Sequence, residues 1–315
     1  MSNLKLLIIT LLLMLNSNVY SENLEKGQKI IRIGSGSIFK GYYSIALDLC
    51  KTIKASDSNT DCIVIPTKGG EENLELLKNG TIDLALVQAN VAVEAFEGKG
   101  YYESQEKMQG LRQILNLYDE FFTVIVKDED KIKIFSDIEG KKISKGPAAS
   151  GSSISYNALR KFYNFINEPV NINIDYEKSV KEFCDGKIDA IIMMIGHPNP
   201  LVALIANSCE VDFISIENTK ITQLIESNKA FHRAIMDKNL YPGITTDQNS
   251  FAVSSILVTN ENMDFKTLDK FIGMFHKTVK KFRHSNYMLN NIDITYFADT
   301  NNFVLPKHPA VRNRK

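Results

Sequence analysis

The hydrophobic pattern of this chain reads as short apolar runs alternating with helix-period segments. Lys29-Ile-Ile-Arg-Ile33 predicts a strand, Gly34-Ser-Gly-Ser37 a loop, and Gly41 to Ala55 a helix whose inner face is Tyr42, Ile45, Ala46, Leu49 and Ile53. Cys62 to Pro66 predicts a second strand, followed by the loop Thr67-Lys-Gly-Gly70 and a helix from Glu71 to Lys78 that stops at Asn79-Gly80. Ile82-Asp-Leu-Ala-Leu-Val87 is a near-continuous apolar run, as expected of a parallel strand covered on both faces.

The same order returns about a hundred residues on. Lys141 to Ser144 predicts a strand, Gly146 to Ser153 a glycine and serine loop, and Ile154 to Phe165 a helix. A strand from Val170 to Ile174, a helix from Ser179 to Asp185 and a strand from Ile188 to Met194 follow. Gly80-Thr-Ile-Asp83 and Gly186-Lys-Ile-Asp189 are one device, 106 residues apart. Two like-folded α/β lobes are expected. Leu115 to Lys127 and Phe251 to Thr259 read as extended strands between them, which makes the first lobe discontinuous: residues 22–124 and 250–315, with 125–249 as the second lobe. Such crossing strands form a hinge, expected near Phe122 and Val253. A helix from Phe265 to Phe282 presents Leu268, Phe271, Ile272, Phe275 and Val279 on one side.

The beginning of the chain changes the picture of where it works. Lys5, the apolar stretch Leu6 to Leu15 and the end Val19-Tyr20-Ser21 have the layout of a secretory signal peptide cut after Ser21. Ten helical residues reach only about 15 Å, half of a ~30 Å hydrocarbon core, so a membrane anchor fits less well. The expected product is soluble and periplasmic. Its nearest cysteine pairs are Cys50 with Cys62 and Cys184 with Cys209, although four buried free thiols fit the sequence equally well.

Charge and chemistry narrow the function. The 315 residues carry 37 Lys and Arg against 37 Asp and Glu, a net charge of zero that offers no field for nucleic acid. His197, His232, His276, His284 and His308 lack short metal-ligand spacing, so no metal is expected. Gly34-Ser-Gly36 lacks the third glycine of a dinucleotide loop, and Ser152 stands where a phosphate loop needs lysine, so no cofactor is expected either. Ser35 between glycines lacks the second glycine of a nucleophile elbow, which disfavours an enzyme. The loops remain as binding material: Ser150, Gly151, Ser152 and Ser153 form an anion site at a helix start.

In order, Ile33-Gly-Ser-Gly-Ser37 with Tyr42-Tyr43, Thr67-x-Gly-Gly70 with Asn73, Gly80-x-Ile-Asp83 with Val87-Gln-Ala-Asn-Val-Ala92, Gly151-Ser-Ser153 and Tyr241-Pro-Gly243 resemble the TAXI family of TRAP-transporter solute receptors. The resemblance implies an α/β, two-lobed type II periplasmic binding protein fold with a ligand cleft between the lobes. It implies a non-enzymatic monomer that captures a small anionic solute, glutamate or dicarboxylate-like, for a sodium-driven TRAP-type permease. The residues expected to line the cleft are Ser35, Gly36, Ser37, Lys40, Tyr43, Lys68, Gly69, Gly70, Gln88, Tyr118, Ser150, Gly151, Ser152 and Ser153. Phe39-Lys40 replaces the usual Gly-Gly, Gly70 the usual Ser, and Asn90 the usual Asp. A surface interaction or sensor protein and a secreted hydrolase are the competing readings.

Overall fold

In the computed structural model, which describes residues 28–38, 41–127, 132–147, 150–172, 174 and 176–312, ten strands share one sheet. The signal-peptide reading of residues 1–21 and the candidate Lys40 lie outside the described residues. β1 (Lys29–Gly34) runs parallel to β2 (Thr60–Ile65) and β3 (Leu84–Gln88), connected through α1 (Gly41–Ser56) and α2 (Gly70–Lys78), and α3 (Ala89–Glu97) follows β3 directly. After β4 (Leu111–Lys127) the unit is rebuilt: β5 (Lys142–Ser144) is parallel to β6 (Val170–Asn171) and β7 (Ala190–Ile195), with α4 (Gly151–Arg160) and α5 (Tyr176–Cys184) between them.

The recurring Gly-x-Ile-Asp device does the same work twice. Gly80 and Gly186 stop α2 and α5 in left-handed conformations, at φ 74° and 73°, where a side chain would be strained. Three residues on, the aspartate fastens the start of one strand to its neighbour. Asp83 donates its N–H to the Arg32 carbonyl at 2.9 Å and accepts the Arg32 N–H on Oδ2 at 2.7 Å. Asp189 makes the matching pair with Lys142, at 2.7 Å each.

The remaining elements are α6 (Pro200–Ser208), β8 (Val211–Phe213), α7 (Asn218–Ser227), β9 (Phe231–Met236), β10 (Gln248–Asn260) and α8 (Phe265–Ser285). β4 and β10 are the long strands, antiparallel to each other, with Ala252 opposite Phe121 and Ser254 opposite Asp119. One end of β10 pairs with β3, the other with β9, and the end of β4 pairs with β7 and β8.

Apolar packing divides along these two strands. Leu115, Leu117, Tyr118 and Leu257 pack with Ile33, Leu49, Phe271 and Phe275. Phe122, Val124, Phe251 and Val253 pack with Phe135, Ile143, Ile192 and Phe231. Between them the strands carry polar residues, Asp119 and Glu120 on β4 and Ser254 and Ser255 on β10, and the register shifts between Ser254 and Ile256. A polar belt with a bulge is a natural bending point.

Both cysteine pairs are disulfides. Cys50–Cys62 ties α1 to β2 across 5.2 Å between Cα atoms, and Cys184–Cys209 ties the end of α5 to the end of α6 across 5.7 Å. Among the described residues no helix is long and apolar enough to cross a membrane.

Several elements differ from the sequence pattern. α4 begins at Gly151, not Ile154, because Ser150 accepts the Ser153 N–H at 3.2 Å and draws the helix start back. It ends at Arg160, short of Phe165. The strand expected from Val170 to Ile174 covers only Val170–Asn171. α3, α6, α7, β8 and β9 lay in stretches without a clean period.

Candidate functional site

At the carboxyl ends of β1, β2 and β3, one buried amide organises the loops. Asn73 donates to the carbonyls of Ser35 at 2.6 Å and Leu86 at 2.7 Å, and accepts the Thr67 hydroxyl at 2.7 Å. Thr67 and its loop are thereby held against Ser35, whose own hydroxyl donates to the Ile65 carbonyl at 3.0 Å. Ser35 and Gly36 therefore present backbone at the carboxyl ends of these strands, held in place by the Asn73 side chain. Lys68 is exposed, and its N–H is held by the Glu72 carboxylate at 2.7 Å.

Facing this floor is the first turn of α4 from the other lobe. A Cβ on Gly151 would stand 2.0 Å from Gln88 Oε1, so the lobes meet there with room for glycine alone. The Gln88 amide cannot simply swing away, because its Nε2 donates to Glu120 Oε2. Tyr42 and Tyr118 reach the same carboxylate, and burial first, then the charge of Glu120, push both phenols well above their usual range. Gly41 and Gly196 lie against Tyr118, which joins the two lobes around one ring.

The contact continues along α3. Asn90 Nδ2 lies 3.2 Å from Ser155 Oγ on α4, and Ile154 of α4 joins a cluster with Val91, Ala95 and Leu111. Beside it, burial raises the Glu71 carboxyl to about 7, helped by the charges of Glu120 and Glu94 against an opposing backbone hydrogen bond. Burial also raises Glu94, countered in part by Lys161 from the facing lobe. Two carboxyl groups on this side of the cleft thus hold their protons more tightly than usual, which the sequence did not suggest.

Other polar groups serve the framework. His197 lies between Thr123 Oγ1 and Tyr241 Oη, each 2.8 Å away, and burial lowers it to about 4. Tyr241 Oη also accepts the Asn199 N–H, so the Tyr241-Pro-Gly243 motif holds the loop before α6. Ser254 donates to Asp119 at 3.1 Å, and His232 reaches the other oxygen of Asp119, so the serine is not activated by the histidine. Among the described residues no group of three or more His, Cys, Asp or Glu is placed to hold a metal ion. A surface depression of about 490 Å³ around Asn207, Glu210, Pro242 and Gly243 shares no residue with the cleft.

The sequence-chosen residues thus fall into two sets. Gln88, Tyr118, Ser150 and Gly151 converge where the lobes meet. Ser152 and Ser153 are buried, and Ser152 accepts the Met194 N–H at 2.9 Å within its own lobe. Gly69 and Gly70 open α2 beside Glu71 and Val87, while Ser37 and Tyr43 are half-buried at the rim. Sequence reasoning missed Glu71, Glu94 and Glu120 as wall residues. A lone carboxylate carries no spacing signal, and the only pointer was adjacency to Gly70 and to the crossing strand.

This architecture is a two-lobed type II periplasmic binding protein fold with its cleft between the lobes. Residues 33–313 match the NMT1-like family, and the chain belongs to it. Among solved structures it is similar to the ligand-binding component of an ABC-type import system from Staphylococcus aureus, with 11% identity, TM-score 0.50, and coverage of 84% of this chain and 80% of that one. It also matches the periplasmic aliphatic sulphonate binding protein SsuA from Escherichia coli, with 13% identity, TM-score 0.47, and coverage of 85% and 81%.

Proposed function

We propose that this protein is a periplasmic, non-enzymatic receptor that captures a small solute between its lobes and delivers it to a membrane permease. The observation that carries the reading is the meeting of Gly151 at the start of α4 with Gln88 at the end of β3, across lobes joined by β4 and β10. Two bodies linked by strands with a polar, bulged crossing can open and close around a ligand. In this reading the lobes divide at residues 119–121 and 254–255, close to the boundaries expected from sequence. Support for an acidic group on the solute comes from the α4 start, where first-turn N–H groups and the helix dipole favour an anion. Lys40 and Lys68 stay as candidate partners for it.

The order of the loop motifs favours a TRAP-type permease. The likeness to the ligand-binding component of an ABC-type import system favours an ABC-type importer as the second reading. The test begins with mass spectrometry of small molecules released by denaturing the purified protein, followed by small-angle scattering with and without the compound found. A released solute that lowers the radius of gyration is expected. Neither release nor any change in scattering across a metabolite panel would overturn the receptor reading.

A further inference from the structure

We infer that Glu120 is a positioning residue that holds both side chains on which the second lobe rests, so that one buried carboxylate sets how closely the lobes approach at two separate points. This rests on the receptor reading and adds what fixes the clearance of its cleft. Glu120 lies on β4, where that strand crosses between the lobes, and is 5% exposed. Its carboxylate accepts Gln88 Nε2 from the end of β3 and the hydroxyl of Tyr118, two residues back on β4. A carboxylate is kept in the interior only while donors surround it, so both partners are tied to their places.

Each partner carries a contact with the other lobe. A Cβ on Gly151, at the start of α4, would stand 2.0 Å from Gln88 Oε1. A Cβ on Gly196, just past β7, would stand 2.7 Å from Tyr118 Cε2. Both are closer than a real Cβ comes to its neighbours, and in each case the nearest obstacle is a side chain. Such a clash costs little where the side chain can turn aside and much where it cannot. The carboxylate removes that freedom: either partner, on turning, would give up a charge-assisted hydrogen bond and leave Glu120 short of a donor. β10 runs between β3 and β4, so no direct strand pairing ties Gln88 to Tyr118. What they share is the carboxylate.

The experiment measures the distance between spin labels on Ser104→Cys and Asn164→Cys, exposed positions of the two lobes, in the unliganded protein. Gly151→Ala and Gly196→Ala should each shift that distance to longer values. Adding Glu120→Met, which keeps a side chain of similar length and removes the carboxylate, should reverse at least half of either shift, whereas Gln88→Ala should reverse the Gly151→Ala shift alone. General loosening of a fold does not bring lobes back together, so reversal separates positioning from a structural role. Melting curves show which variants fold. If Glu120→Met does not, Tyr118→Phe takes its place and should reverse the Gly196→Ala shift but not the Gly151→Ala shift. The inference is overturned if Glu120→Met reverses one shift or neither, if Tyr118→Phe in its place departs from that pattern, or if the two alanines leave the distance as in the parent. Each of these leaves the receptor reading standing, because that reading is judged by the released solute and the closure it brings. A protein that neither releases a solute nor closes on one loses both.

Discussion

His232 Nε2 stands 3.0 Å from Asp119 Oδ2, a contact that reaches from β9 across β10 to the crossing of β4. On the other oxygen, Ser254 and Tyr296 both donate at 3.1 Å, and the two hydroxyls are 2.7 Å apart. A strand of one lobe, both crossing strands and the C-terminal segment thus share one carboxylate at the bend. Burial alone would raise the Asp119 carboxyl, yet hydrogen bonding and charge from His232, with Ser254 and Tyr296, hold it below its usual value.

The sign of the pH effect follows. A carboxyl depressed in the folded protein adds stability above its unfolded value of about 3.9 and loses it as pH falls through the folded value. Because Asp119 is partly solvated, its contribution is discounted to about 1 kcal/mol. Asp119→Asn should lower the melting temperature by roughly 2 to 4 °C at pH 7, with the difference closing as pH falls through the lowered folded value. Melting curves across pH 3 to 8 check this, and a constant difference would show that the charge is irrelevant.

Glu71 predicts the opposite slope. Its carboxyl holds a proton up to about 7 in the folded protein, whereas the unfolded chain releases it near ~4.3. Between those values the folded state binds more protons, so stability falls as pH rises and levels off above about 7. Glu71→Gln removes this penalty. The variant should melt higher than the parent at pH 8 and with little difference at pH 5, and melting curves at the two pH values check this.

Gly151 tests closure directly. Gly151→Ala places a methyl where Gln88 Oε1 now lies, while alanine at a helix start costs the isolated lobe nothing. The variant should fold normally, show a larger radius of gyration and bind more weakly. Gln88→Ala in the same chain removes the obstacle and should restore the compact form, so an unrecovered double variant would point to damage elsewhere.

The disulfides close loops with separations of 12 and 25 residues. Loop entropy values them at roughly 3 and 3.5 kcal/mol, so replacing either pair by serine should lower the melting temperature by about 6 to 12 °C. The loss should be slightly larger for Cys184–Cys209. Equal melting of reduced and oxidised protein would contradict the pairing.

Local pattern determined much of this molecule. The periodicity of Gly41 to Ala55 and Phe265 to Phe282, the repeated Gly-x-Ile-Asp device and the two long extended runs are legible because each depends on neighbours a few residues away. They carry the two-lobed sheet and the crossing strands with them. Tertiary structure alone decided which side chains face one another across the cleft. Ser152 turned inward to Met194 because the Ser150 cap set the phase of α4, and Glu71, Glu94 and Glu120 became one wall because α2, α3 and β4 converge there. Nothing in the local spacing encodes those distances. The raised carboxyls of Glu71 and Glu94 are of the same kind, because the burial that raises them comes from tertiary packing and not from their neighbours in sequence.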